Sequence, residues 1–183
     1  MDDIKIPSGF TLVEGETPYW YGKLSWKANW LLILLGLLTI WIYGLGIIFF
    51  IIAYLRRLAT EYFVTSSRIY VKYGIISRRT FEIKNEWITG TMLKQGFFGR
   101  LFNYGDVIIS TPGQYAGSVI MIGVSDPMHI RTIIEEVLRK FKERQRILED
   151  IKMLEREYEL GRITKEKYEE LKRKYEEKLK KLI

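Results

Sequence analysis

Hydrophobic and polar positions alternate in three different ways along this chain. From Ala28 to Leu55 there is no alternation: 28 residues pass without a charge between Lys27 and Arg56. One helix of that length would be about 42 Å long at ~1.5 Å per residue, against a hydrocarbon core of ~30 Å. No polar face interrupts it, so the pattern predicts a transmembrane segment over 28–57. Two topologies fit: one tilted span, or a helical hairpin turning near Tyr43-Gly44-Leu45-Gly46. Both flanks are basic, with Lys23 and Lys27 before and Arg56 and Arg57 after. Only a hairpin puts both flanks on the positive-inside side. Trp41 and Tyr43 in mid-stretch favour an interface there, and Gly44 and Gly46 permit a tight turn. Against the hairpin, each arm would have ~14–17 residues, fewer than the usual ~20. The stretch starts too late and runs too long for a cleavable signal, which places the protein as integral to a cell membrane.

After Arg57 the period becomes two. Glu61–Thr65, Arg68–Tyr73, Ile75–Ile83, Ile88–Leu93, Asp106–Thr111 and Ser118–Val124 read as short strands. Ser66-Ser67, Pro112-Gly113 and Ala116-Gly117 mark turns. Six short strands at regular spacing predict an antiparallel sandwich or barrel. The period then becomes helical. Asp126 is placed as N-cap and Pro127 as first helical residue, followed by Ile130, Ile133, Ile134, Val137, Leu138 and Phe141 on one stripe. The fold class is therefore α+β: a membrane segment, then a barrel closed by one helix.

Two flanking regions complete the division. Residues 1–18 lack periodicity, and only Leu12–Glu16 suggests a short strand, so the start reads as mobile. Residues 19–27, YWYGKLSWK, fit either an aromatic lead-in at the headgroup level or a strand of the following domain. At the other end, Ile147, Ile151, Leu154 and Tyr158 form one stripe. Gly161 terminates that helix, Thr164 caps the next, and Tyr168, Leu171, Tyr175, Leu179 and Leu182 form a second stripe. The expected domains are 1–27 lead-in, 28–57 membrane segment, 58–144 barrel with its helix, and 145–183 two-helix tail.

Charge changes the picture by its location. The chain carries +7 in 183 residues, and residues 56–100 hold nine basic against three acidic groups. That excess adjoins the apolar stretch, where anionic headgroups would be neighbours. Arg56, Arg57, Arg68, Lys72, Arg78, Arg79 and Arg100 are the candidate headgroup-binding residues, and Trp20, Trp26, Trp30, Trp41 and Tyr43 the candidate interface residues. A basic patch also suits nucleic acid, but no nucleic-acid motif accompanies it. With no cysteine and only His129, thiolate or histidine metal sites are not expected, and no cofactor is. Glu82 and Glu86 are a carboxylate pair without polar company, so no catalytic set converges and no enzyme is expected.

Four stretches, in order, resemble the PH-domain (pleckstrin-homology-like) membrane proteins of bacteria and archaea. They are Trp20 to Trp26, Glu61 to Ile69 (EYFVTSSRI), Gln95 to Val107 (QGFFGRLFNYGDV) and Asp126-Pro127. The resemblance covers roughly 20–144; Ser66-Ser67 departs from it, since an asparagine is common there. It implies a PH-like antiparallel barrel beside the bilayer, usually preceded by a hairpin, with no established ligand. Eukaryotic PH domains bind inositol phosphates near the first hairpin; Lys72, Arg78 and Arg79 around Gly74 match that spacing poorly, so the ligand is not carried over. The segment Leu154 to Lys172, with Gly161-x-Ile163-Thr164 between its helices, resembles the short C-terminal helical hairpin called SHOCT. That implies oligomerisation or partner contact through Leu154, Tyr158, Ile163, Tyr168, Leu171 and Tyr175. The expected function is a non-enzymatic, membrane-anchored binding or scaffold protein, with barrel and tail on the cytoplasmic side. The expected partners are the lipid bilayer and a homo-oligomer or protein partner at 145–183. The alternative is a sensor of anionic lipid or a small ligand through the basic face 56–100.

Overall fold

Seven strands and five helices form from these patterns in the computed structural model, which describes residues 4–7, 9–41, 44–112 and 118–182. The strands are β1 (Pro18–Lys23), β2 (Glu61–Thr65), β3 (Arg68–Tyr73), β4 (Arg79–Lys84), β5 (Gly90–Lys94), β6 (Tyr104–Ser110) and β7 (Ser118–Ser125). The helices are α1 (Trp30–Thr39), α2 (Gly46–Leu58), α3 (Phe97–Phe102), α4 (Pro127–Glu159) and α5 (Lys165–Lys181). The chain divides into two units, Met1–Val137 and Leu138–Ile183.

In the first unit, β1-β2-β3-β4 form one antiparallel sheet and β5-β6-β7 a second. Period-two burial is clearest in β6, where Gly105, Val107 and Ile109 are buried and the residues between them are half-exposed. Tyr62, Phe63, Ile69, Val71, Met121 and Ile134 are among its fully buried side chains. Asp126 and Pro127 start α4 as the sequence predicts; the Asp126 carboxylate accepts the His129 N–H at 3.4 Å. Ile130, Ile134 and Val137 are the buried stripe. Two antiparallel sheets and a following helix are the PH-like layout.

Phe10 and Glu16 are tied into the domain. Phe10 packs edge-on to Phe63 and Tyr70, at 5.0 and 5.2 Å between ring centroids. Glu16 is buried and accepts from Thr65 Oγ1 at 2.6 Å and from the Arg68 guanidinium at 3.0 and 3.1 Å. Leu12–Glu16 is no strand. Residues 18–23 are a strand of the domain: Tyr21 pairs with Phe63 and Lys23 with Glu61 across β1 and β2.

The membrane-spanning expectation is overturned. Among the described residues no helix is long and apolar enough to cross a membrane. The uninterrupted apolar stretch breaks into a ten-residue and a thirteen-residue helix, about 15 and 20 Å long. The physical reason lies in backbone contact. A Cβ on Gly46 would collide with the Gly36 carbonyl oxygen and come within 2.8 Å of the Ile40 backbone, so α1 and α2 meet at bare backbone. That close approach holds the two short arms against each other. The assignment as an integral membrane protein falls with the span. Tyr43, placed at the turn, lies outside the described residues, as do 113–117.

In the second unit, Gly161 ends α4 at φ +68°, with Arg162 N–H donating to the Glu157 carbonyl. Thr164 caps α5 by accepting the Lys167 N–H. Tyr158 and Tyr168 stack at 4.6 Å, so the two helices fold back on each other.

Candidate functional site

The α1–α2 hairpin is the connection between β1 and β2, and it is packed in reverse. Its buried residues are small: Gly36, Gly46 and Ala53. Its large apolar side chains point outward, among them Leu31, Leu38, Ile47 and Ile51, and Trp41 is 92 % exposed. A helix apolar on every side, or an apolar patch of this extent, ordinarily has an apolar neighbour.

The hairpin is rooted firmly. Ser25 N–H donates to the Gly123 carbonyl of β7 at 2.8 Å, and the Ser25 and Ser125 hydroxyls bond at 2.8 Å. Ser25 also caps the 3-10 turn Trp26–Asn29 that leads into α1. Asn29 is buried and donates to the Ala53 carbonyl, tying the foot of α1 to α2. The Arg57 guanidinium donates to the Leu24 carbonyl at 2.5 Å and lies over the Trp26 ring.

A second apolar element joins at that foot. Trp30 donates its indole N–H to the Tyr104 hydroxyl at 3.0 Å, and its ring lies 4.6 Å from Phe98 of α3. Phe97 and Leu101 on α3 are exposed. No helix is expected here from the sequence, because six residues give too few turns for a period to show. Asn103 ends α3 in the left-handed region at φ 52°.

The predicted cations divide. Arg57 is held as described. Arg68 bonds Glu16, Glu82 and the Thr11 carbonyl, and lies over the Phe10 ring. Lys72 pairs with Glu61 at 3.1 Å. Arg56, Arg78, Arg79 and Arg100 hold no ion pair among the described residues. Arg56 and Arg78 line two neighbouring clefts, of about 420 and 260 Å³, that share Ala59, Gly74 and Ile75 between the end of α2 and the β3–β4 turn. Ile76 on that turn is 99 % exposed. Lys27, Arg56, Arg78, the β3–β4 turn and α3 therefore surround the foot of the apolar hairpin.

The aromatic residues divide too. Trp26 is exposed and stacks on Tyr54, Trp30 is half-buried against α3, and Trp41 is exposed. Trp20 belongs to β1, half-buried, with its ring across Gly22. In the tail, Leu154 is buried, Ile163, Tyr168, Leu171 and Tyr175 are half-buried, and Tyr158 is 38 % exposed.

Electrostatics mark the domain rather than a reactive centre. Burial raises the Glu16 carboxyl, but bonds from Arg68, Thr65 and the Val13 N–H outweigh it and hold it below the usual carboxylate value. The Glu16 hydrogen bond is also the main cause that raises Arg68. Burial pushes the Tyr62 hydroxyl well up; it donates to the Ile122 carbonyl at 2.7 Å. Among the described residues no three His, Cys, Asp or Glu groups converge as metal ligands.

Two antiparallel sheets, a following helix and an apolar projection define a PH-like binding module. The chain belongs to the bacterial PH domain family, whose model matches residues 10–138. That family is generally non-catalytic. No curated protein and no solved structure matches the chain.

Proposed function

We propose that this chain is a non-enzymatic PH-like binding module that seats on an anionic lipid surface from one side, through the outward face of α1–α2. What carries the reading is the reversed packing of the hairpin above cations that hold no ion pair among the described residues. Arms of about 15 and 20 Å reach roughly halfway through a ~30 Å hydrocarbon core, so the hairpin enters one leaflet and does not cross. Lys27, Arg56 and Arg78 at its foot then lie at the headgroup level, where each contributes about 1 kcal/mol toward anionic lipid. A sensor built on the whole basic face 56–100 is less favoured, because Arg57, Arg68 and Lys72 serve internal bonds.

The tail supplies the scaffold half of the proposal. Its stripe residues Tyr168, Leu171 and Tyr175 stay half-exposed in the two-helix unit. Two helices alone bury little surface, which favours a second copy or a partner protein there, in keeping with the SHOCT-like sequence of 154–172.

Flotation with vesicles of phosphatidylglycerol and phosphatidylcholine tests the seat. The full chain should float, and Leu38→Asp with Ile51→Asp should cut the bound fraction at least tenfold, since each loses ~1.5–3 kcal/mol of apolar burial. Arg56→Gln with Arg78→Gln should weaken the preference for phosphatidylglycerol and leave residual binding. A full chain that stays monomeric and does not float overturns the lipid reading. Sedimentation with 145–183 removed should convert an oligomer to a monomer; a full chain already monomeric overturns the self-association half.

A further inference from the structure

Beside the hairpin's foot runs an apolar groove of about 470 Å³ that the seat itself does not require. Trp26, Trp30, Ile33, Leu34 and Leu37 line one side and Phe102 of α3 another. Trp30, Ile33, Leu34 and Leu37 recur at three and four residues on one face of α1, and Trp26 stands on the 3-10 turn that leads into it. Lys27 is the one charged residue in the lining, is exposed, and holds no ion pair among the described residues.

We infer that this groove holds one acyl chain of a single anionic phospholipid, with the Lys27 ammonium on its phosphate. The inference rests on the lipid seat proposed above. From residue 26 to 37 the lining extends about 18 Å, at ~2.0 Å per residue through the 3-10 turn and ~1.5 Å along α1. One leaflet of a ~30 Å hydrocarbon core is about 15 Å deep, which is the reach of one chain. Charge lies at one end only, as a phospholipid requires and a neutral oil does not. The walls are also set in advance. The Trp30 indole is fixed by the Tyr104 hydroxyl and by Phe98, and Tyr104 is held through its carbonyl by Gln95 Nε2 at 3.1 Å. A preset wall loses little side-chain entropy when a chain enters.

The test is native mass spectrometry of the full chain, equilibrated with phosphatidylglycerol–phosphatidylcholine vesicles and released in mild detergent, alongside flotation with the same vesicles. One phosphatidylglycerol per chain is expected. Phe102→Ala, which removes the groove wall supplied by α3 and leaves the α1–α2 face intact, should reduce that adduct at least tenfold while flotation stays within about twofold. Lys27→Glu should shift the adduct toward phosphatidylcholine. Flotation without any retained lipid overturns the groove and leaves the seat standing. A retained free fatty acid, or a dimer without lipid, overturns the phospholipid as occupant. Absence of both flotation and adduct overturns the seat and the groove together.

Discussion

The two sheets and the α1–α2 hairpin obey opposite packing rules within one unit. In the sheets the large side chains are inside: Tyr62, Phe63, Ile69 and Met121 are fully buried. In the hairpin the inside is glycine and alanine, and leucine, isoleucine and tryptophan face out. The sheets gain stability from apolar area removed from water. The hairpin gains little that way in isolation and is held by its roots: Ser25 on Gly123, Arg57 on Leu24, Asn29 on Ala53. One region is built for its own stability. The other leaves its large apolar side chains exposed.

The largest effect separating the two regions concerns large-to-small changes. Phe63→Ala empties a site lined by Phe10 and Tyr70, and should lower unfolding stability by about 3–5 kcal/mol. Trp41→Ala removes a larger ring that touches little, and should stay within about 0.5 kcal/mol in lipid-free protein. Denaturant titration of both variants checks this. Comparable losses would mean that the hairpin's outer face is already covered in the free protein.

A middle-sized effect concerns the contact at the two glycines. Gly46→Leu forces a side chain against the Gly36 carbonyl and should cost the hairpin about 1–3 kcal/mol. Amide hydrogen exchange over 30–58 should then accelerate roughly tenfold or more, with β2, β3 and β6 unchanged. Equal acceleration in the strands would show that hairpin and sheets open as one.

The smallest effect belongs to the sheet side and to pH. Glu16 has a carboxyl held below its ordinary value, so it contributes stability above about pH 4.3, the unfolded glutamate value. That contribution is lost as pH falls through the lower folded value. Glu16→Gln should unfold more easily at pH 7, by about 1–2 kcal/mol from the weakened bonds to Arg68 and Thr65, and should lose less on acidification than the parent chain. Thermal unfolding between pH 3 and 7 reads both. Parallel curves would remove Glu16 from the acid response.

Much of the domain was legible in sequence, because its signals are local. Period-two runs marked β2 to β7, with ends a few residues off. Asp126-Pro127 and the Gly161–Thr164 pair act within one helical turn, so their neighbours alone determine them. The apolar character of 28–55 was equally plain, and a fold-back near Gly44–Gly46 was one of the two topologies it allowed. What the amino acids alone did not determine was where the helices end, because hydropathy measures affinity for oil and carries no length. The folded chain has arms of ten and thirteen residues that meet backbone to backbone at Gly36 and Gly46. Partners distant in the chain decided the rest. Residues 18–23 became a strand only because β2, some 40 residues on, pairs with them. Phe10 and Glu16 became core through Phe63, Tyr70 and Arg68. Arg57, Arg68 and Lys72 look like the other cations in sequence, and only folding placed an acceptor beside each.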